Sequence, residues 1–168
     1  RTLAMTAYGD LDYSVIDELP PGRQPIVTVH RYESQRSRVM SFLLSVIDKG
    51  RQVYIIFPLI EESDTLDYEN LMKGYEVVKG YFPEPKYWIS MVHGRQPADQ
   101  KEQNMKRFVE GDTQIMVSTT VIEVGVNVPN ASVMVIESTE KFGLSQLHQL
   151  RGRVGRGAEK SYCILISG

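Results

Sequence analysis

The feature that most constrains this chain is the alternation of two hydrophobic periods. Unbroken apolar runs, such as Val53–Phe57 and Val133–Ile136, are separated by stretches in which apolar residues recur every three or four positions. Runs without polar alternation are typical of strands buried on both faces, and helices between them imply parallel crossovers. The pattern therefore predicts an α/β fold, a three-layer α/β/α sandwich around a mainly parallel sheet.

Six strands and four helices follow from this pattern. The strands are expected at Ile26–Val29, Val53–Phe57, Tyr87–Val92, Ile115–Val117, Val133–Ile136 and Tyr162–Ile166. The helices are expected from a Ser34 cap to Gly50, over about 66–80, from Pro97 at the first helical position to Gly111, and from Ser145 to about Arg151. The apolar faces of the first three are predicted to hold Val39, Phe42, Leu43, Val46 and Ile47; Leu71, Tyr75 and Val78; and Ala98, Met105, Phe108 and Val109.

Composition excludes several classes of protein. The 168 residues include one cysteine, so an internal disulfide or a thiolate metal site is excluded, and Cys163 within an apolar strand is interpreted as inert core. The three histidines lack paired-ligand spacing, so no metal site is expected. No apolar run reaches the length of a membrane span. A net charge of −2 excludes a uniformly positive surface, yet residues 141–160 carry five basic residues against Glu159 alone, which allows one basic groove.

The loop after the predicted strand 115–117 is the first candidate site. Thr119 and Thr120 place hydroxyl groups where the strand ends, and such a strand end running into a short helix suits an anion. Gly125 lets a ligand approach the backbone, and Asn127 offers a donor and an acceptor to a ribose or a water. The alternative is an ordinary strand–turn in which the threonines cap a helix.

The second candidate site, Gln149–Gly157, combines three arginines with three glycines. Arg153 and Arg156, three positions apart, can project to the same side of one helical turn, and guanidinium groups suit phosphate oxygens. A solvated helix end is the alternative, although glycines at these positions disfavour it. The chain has no Gly-x-x-x-x-Gly-Lys-Ser/Thr phosphate cradle of its own. This mismatch predicts arginine fingers that act on a nucleotide held elsewhere.

The third candidate site is the turn His93-Gly94-Arg95, between the predicted strand 87–92 and the helix that starts at Pro97. His93 and Arg95 can contact a nucleic-acid backbone; alternatively, they are ordinary polar residues of a surface turn.

Together these segments resemble the motifs of superfamily 2 helicases. Thr119–Pro129 resembles motif V, Gln149–Arg156 resembles the Q-x-x-G-R-x-x-R form of motif VI, and Val53–Pro58 resembles motif IV. More narrowly, the chain is similar to the RecG family of bacterial ATP-dependent DNA helicases, through Arg1–Asp12, Ile16–Arg23, Phe57–Ser63 and Phe142–Gly157. The main alternative to exclude is the transcription-repair coupling factor, and the connector Tyr8–Gly22 argues against it.

The resemblance implies that this chain is the second of the two RecA-like lobes of a motor. Such a lobe has the fold of P-loop NTPases but lacks a P-loop of its own. It implies that Arg153 and Arg156 contact ATP phosphates, that Gly125 and Asn127 line the nucleotide cleft, and that Gln149 couples hydrolysis to lobe movement. The family usually has Asp at the position of Asn127, and the amide lacks that negative charge. ATP with Mg²⁺ would be held mainly by the first lobe.

The resemblance also implies contacts to the DNA backbone by Thr119, Thr120, His93, Gly94 and Arg95. The implied partners are branched double-stranded DNA, the first RecA-like lobe and a DNA-binding wedge domain of the same protein. No membrane partner is expected, and the implied location is the bacterial cytoplasm, at the nucleoid. Residues 1–22 would form a connector from the first lobe, and residues 23–168 the second lobe.

The expected function is remodelling of stalled forks and Holliday junctions in DNA recombination and repair. Because Arg1 is not an initiator methionine, we expect a processed chain or a fragment. Since the sequence has no Walker motifs, we expect these residues alone not to hydrolyse ATP and to bind DNA weakly. The alternatives are a lobe of another superfamily 2 motor, such as the coupling factor or an RNA helicase, and a non-catalytic nucleotide or nucleic-acid binding module.

Overall fold

The fold is built on one parallel β-sheet. The structure is a computed structural model and describes residues 26–58, 64–119, 128, 130–143, 145, 147, 150, 154 and 161–168. Within these residues the strands are β1 Ile26–Tyr32, β2 Gln52–Phe57, β3 Ile89–Val92, β4 Ile115–Thr119, β5 Ala131–Ile136 and β6 Ser161–Ser167. They are ordered β1-β6-β5-β2-β4-β3, and every pairing is parallel. The predicted three-layer α/β architecture is confirmed.

Helices cover both faces of this sheet. Those with described bounds are α1 Arg36–Asp48, α2 Asp64–Tyr81 and α3 Ala98–Val109, and single 3₁₀ turns occupy Glu33–Gln35 and Thr139–Lys141. Ser145, Leu147 and Leu150 are also helical, in agreement with the helix predicted from Ser145, and the residues between them lie outside the described part of the chain. Helices α1 and α2 pack on one face, against alternate residues of the central strands such as Ile55 and Val117. Helix α3 packs on the other face, together with Phe142, Leu147, Leu150 and Val154. Burial of both sheet faces explains why the strands lack polar alternation.

Two helix starts differ from the prediction. Ser34 lies inside the 3₁₀ turn and does not cap α1, whose N-cap is Gln35 without a side-chain cap hydrogen bond. Pro97 is the N-cap of α3 with an extended ψ of 151°, so the helix begins one residue later, at Ala98. The helix ends are closer to prediction, because Gly50 and Gly111 adopt positive φ angles of 91° and 85°, which favour glycine.

The buried face of α3 also differs from the prediction. Phe108 is completely buried, whereas Val109 is 44% exposed and Ala98 is exposed. Met105 packs against the core as predicted, and the half-buried Asn104 before it donates its side-chain amide to the Met91 carbonyl oxygen at 3.1 Å. A polar residue therefore faces the sheet, because it satisfies a backbone group at the end of β3.

The register of the sheet brings three strand ends together. Phe57 of β2 pairs with Thr119 of β4, and Val92 of β3 pairs with Ser118 of β4. His93 and Thr119 therefore lie beside each other at the carboxyl edge, where open parallel sheets bind their ligands.

Candidate nucleic-acid interface

The turn that joins β3 to α3 is held by the side chain of Gln96. Its Oε1 accepts from the backbone N–H of His93 at 3.1 Å, and its Nε2 donates to the Met91 carbonyl oxygen at 2.9 Å. The backbone N–H of Arg95 donates to Nδ1 of His93 at 3.1 Å. The predicted surface turn is thus a closed hydrogen-bonded unit with a defined shape.

His93 is the buried member of this turn, with 7% of its surface exposed. Burial lowers the pKa of His93 below its usual 6.5, and the nearby positive charges of Arg95 and Lys101 lower this pKa further. The ring is therefore neutral at pH 7. Because Nδ1 accepts a hydrogen bond, the proton of the neutral ring is on Nε2, which has no hydrogen-bond partner among the described residues.

Arg95 is exposed and lies over an aromatic ring from another element. Its Cζ atom is 4.8 Å from the ring centroid of Tyr68, on α2. The Tyr68 ring also packs edge-to-face on His93, with centroids 5.0 Å apart and an interplanar angle of 62°. An open cavity of about 390 Å³ borders these three side chains and continues to Gln100 on α3. Positive charge and hydrogen-bond donors thus line one concave surface.

Gly94 lies in open space. A Cβ atom added there has no described neighbour within 4 Å, and its φ is not positive. Nothing in the described part of the chain therefore requires glycine at this position, whereas a ligand that approaches the backbone would.

Thr119 is located at the neighbouring strand end and is only 5% exposed. Its side chain offers little surface to a ligand in this arrangement. Thr120 lies outside the described residues.

The predicted nucleotide residues also lie outside the described part of the chain. These are Gln149, Arg153, Arg156, Gly125 and Asn127. Two residues between or beside the arginines are described, and both are buried: Leu150 is 8% exposed and Val154 has no exposed surface.

A second polar cluster lies at the same edge of the sheet, after β1 and β5. Arg36 donates to both carboxylate oxygens of Glu137, at 2.5 and 2.7 Å, and also pairs with Glu33 at 2.6 Å. The hydrogen bond to Glu137 raises the pKa of Arg36, against the lowering effect of burial. A cleft of about 570 Å³ borders this cluster. Since its arginine is already satisfied by two carboxylates, we assign the cluster a structural role.

The described residues include no group of three or more His, Cys, Asp or Glu side chains that could hold a metal ion. None of the described helices has the length and apolar character needed to cross a bilayer.

The family model of the helicase conserved C-terminal domain matches residues 34–158. The chain belongs to this family. The chain is 53% identical to the ATP-dependent DNA helicase RecG of Streptococcus pneumoniae and 50% identical to that of Escherichia coli K12. Each of these similarities covers 99% of the chain. The solved structure of RecG bound to a three-way DNA junction matches 90% of the chain, with a TM-score of 0.73 and 41% identity.

The similarity confirms the resemblance to RecG and to the RecA-like helicase lobe. The helicase C-terminal domain spans 25% of the S. pneumoniae relative and 24% of the E. coli relative, and 19% of the chain in the junction complex. Those proteins are therefore much longer than the chain described here.

Sequence reasoning missed two residues that contact or close the turn, Gln96 within it and Tyr68 on α2. Gln96 directly follows the predicted His-Gly-Arg segment, and its position before Pro97 is a signal that could have indicated a side chain closing the loop. Tyr68 is 25 positions before His93 on a different helix, and no local pattern indicates that its ring reaches the turn.

Proposed function

We propose that this domain is the second motor lobe of an ATP-dependent DNA helicase that remodels branched DNA, such as stalled forks and Holliday junctions. The observation that carries the proposal is the 53% identity, over nearly the whole chain, to a protein named as the ATP-dependent DNA helicase RecG. A related structure, titled as RecG bound to a three-way DNA junction, supports branched DNA as the substrate. Localisation at the bacterial nucleoid would follow from this substrate.

The proposed contact with the DNA backbone centres on the turn after β3. Arg95 supplies an exposed guanidinium group, Gly94 an accessible backbone, and His93 an Nε2–H donor without a described partner. The first backbone amides of α3 point toward the same turn and add favourable potential for an anion. Thr119 and Thr120 are included in the proposal on the motif match alone, because the side chain of Thr119 is only 5% exposed and Thr120 lies outside the described residues. Such contacts read phosphate rather than base, which suits a motor that moves along any sequence.

The proposed contact with ATP belongs to the segment around motif VI. Arg153 and Arg156 would act as arginine fingers on a nucleotide that the first lobe holds with Mg²⁺, Gly125 and Asn127 would line the cleft, and Gln149 would couple hydrolysis to movement. The motif matches in the sequence support the proposal, and Val154, which lies between the two arginines in the sequence, is completely buried. ATP would draw the two lobes together, and product release would let them separate. If the affinity of each lobe for the DNA backbone changes during this cycle, the protein moves along the DNA in one direction.

Arginine substitution in the intact protein tests the motor. Arg153→Ala or Arg156→Ala should lower the DNA-stimulated ATPase rate on the order of 10³-fold, because an arginine finger stabilises the transition state. Arg38→Ala, which removes an exposed arginine of α1, is the matched control and should retain the rate. Full activity in the finger variants would favour a non-catalytic binding module.

A strand-displacement comparison tests the substrate. The full-length protein should unwind forked DNA and leave duplex RNA of the same sequence paired; the opposite preference would favour an RNA helicase. Residues 1–168 alone should show no steady-state ATPase, since the proposed phosphate cradle lies in the other lobe.

Gly94→Ala tests the DNA surface itself. The added methyl group meets no described atom, so the folded protein should be as stable as the wild type. Weaker binding to forked DNA would then report a phosphate approaching this backbone. Unchanged binding would remove Gly94 from the proposed interface.

A further inference from the structure

Tyr68 has no role in the function proposed so far, although it contacts both side chains of the turn after β3. Its ring centroid is 4.8 Å from Cζ of Arg95 and 5.0 Å from the ring centroid of His93. A guanidinium group over an aromatic face is attracted by the negative potential of that face. The contact therefore restricts where the Arg95 side chain lies.

The helix that carries Tyr68 is fixed against the sheet. Leu71 and Val78, three and ten positions further along α2, are almost completely buried. Gly74 packs so closely on the end of β2 that an added Cβ atom would lie 2.3 Å from Cζ of Phe57. Because α2 is held at this distance and the Tyr68 ring also packs on His93, the ring offers Arg95 a surface at a defined position.

Such a surface matters for Arg95, because the described residues provide no ion pair that would fix its side chain. The Arg95 side chain is also exposed. A free arginine loses rotamer freedom when it binds a phosphate, and a side chain that is ordered beforehand loses less. We propose that Tyr68 is a positioning residue that orders Arg95 for contact with a backbone phosphate of DNA.

This inference rests on the proposed function, in which the turn binds the DNA backbone. Direct stacking of a base on Tyr68 is disfavoured, because the guanidinium group of Arg95 covers one face of the ring and His93 packs against it. The ring acts through Arg95, so its effect should disappear when Arg95 is absent.

A double-mutant cycle in the full-length protein tests the inference. The probe is a fluorescently labelled forked DNA of mixed sequence, and anisotropy gives the affinity over a series of salt concentrations. Tyr68→Leu, which removes the aromatic face, should weaken binding about threefold to tenfold. Tyr68→Phe, which keeps the ring, should bind like the wild type. Tyr68→Leu should have no further effect in a protein that already carries Arg95→Ala.

The salt dependence separates positioning from loss of a charge. Arg95→Ala removes a phosphate contact, so the slope of log K against log salt should fall by about 0.9. Tyr68→Leu keeps the charge, so the affinity should fall while the slope stays close to that of the wild type. A structural defect alone would also weaken binding in the protein that lacks Arg95.

Each result leads to one conclusion. If Arg95→Ala leaves affinity and slope unchanged, the proposed phosphate contact at this turn is wrong. If Arg95→Ala weakens binding but Tyr68→Leu does not, the contact stands and the positioning role is wrong. If Tyr68→Leu weakens binding equally with and without Arg95, Tyr68 acts independently of the arginine, and the inference is overturned.

Discussion

Arg36 and Arg95 both follow strands at the carboxyl edge of one sheet, but their surroundings differ. Arg36 is held between Glu33 and Glu137, and the Glu137 side chain is only 4% exposed. Arg95 lies on the ring of Tyr68, is exposed, and has no carboxylate partner among the described residues. An arginine at a ligand-binding edge is therefore structural when a buried carboxylate opposes it, and is available to a ligand when it lies on an aromatic ring and no described carboxylate opposes it.

The largest effect should come from the buried pair. Glu137→Ala leaves the guanidinium group of Arg36 partly buried with only Glu33 as a partner, and should lower the free energy of unfolding by about 3–5 kcal/mol. The measurement is urea denaturation. Glu33→Ala removes the partner that is 57% exposed and should cost less than about 1 kcal/mol. Equal losses for the two variants would contradict the structural role of Glu137.

The open arginine should behave in the opposite way. Arg95→Ala should change the free energy of unfolding by less than about 0.5 kcal/mol, because no described ion pair is lost. At low salt it should weaken binding to forked DNA about tenfold, as expected for one charged hydrogen bond. Urea denaturation and anisotropy on the same preparations measure both quantities. A large loss of stability would mean that Arg95, like Arg36, is structural.

The turn that presents Arg95 should depend on Gln96. Gln96→Leu removes the hydrogen bonds to the His93 N–H and the Met91 carbonyl, and should cost about 1 kcal/mol of unfolding free energy. Gln100→Leu is the matched control, because Gln100 borders the same cavity and is exposed, and it should cost less than about 0.5 kcal/mol. Equal effects in thermal or urea unfolding would show that the Gln96 bonds do not hold the turn.

The smallest effect should be a pH dependence from His93. Its pKa is lowered in the folded state, so below about pH 6.5 the unfolded state binds the proton more readily than the folded state. This contribution to stability is present above that value and is lost as the pH falls toward the folded pKa. His93→Asn should remove this dependence when urea midpoints are compared between about pH 8 and about pH 5. An identical pH profile in both proteins would contradict the lowered pKa.

The strands were predictable because burial on both faces leaves a local signature. Each apolar run that predicted a strand lies within or overlaps an observed one, although Tyr87 and Trp88 precede β3 instead of starting it. Their exact ends depend on backbone pairing with neighbouring strands, which no single run contains. The parallel arrangement followed from the intervening helices and is confirmed.

The face of α3 was predicted in part: Phe108 and Met105 pack on the core, whereas Ala98 and Val109 are exposed. At about 100° per residue, Ala98, Met105 and Val109 align on one side of the helix, while Phe108 lies about 80° away. The observed buried side is centred nearer Phe108 and includes the half-buried Asn104, which bonds the Met91 carbonyl. A preference for apolar residues alone cannot anticipate a polar residue that satisfies a buried backbone group.

In the candidate site, too, contiguous residues could be predicted from the sequence and contacts between separate elements could not. His93, Gly94 and Arg95 are contiguous, so the sequence could predict that they share a turn, whereas the reach of Tyr68 depends on how α2 packs. The roles predicted for Arg153, Arg156, Gln149, Gly125, Asn127 and Thr120 lie outside the described residues and stay predictions.

The layered α/β architecture, the family and the chemistry of the turn after β3 could be predicted from the sequence, because they depend on local runs and contiguous residues. The tertiary structure was needed to show that Arg36 pairs with Glu137, 101 positions away, and that Arg95 lies on the ring of Tyr68. The physical reason is that the charge available to a ligand depends on what lies opposite it in space, and the packing of separate helices and strands sets that distance.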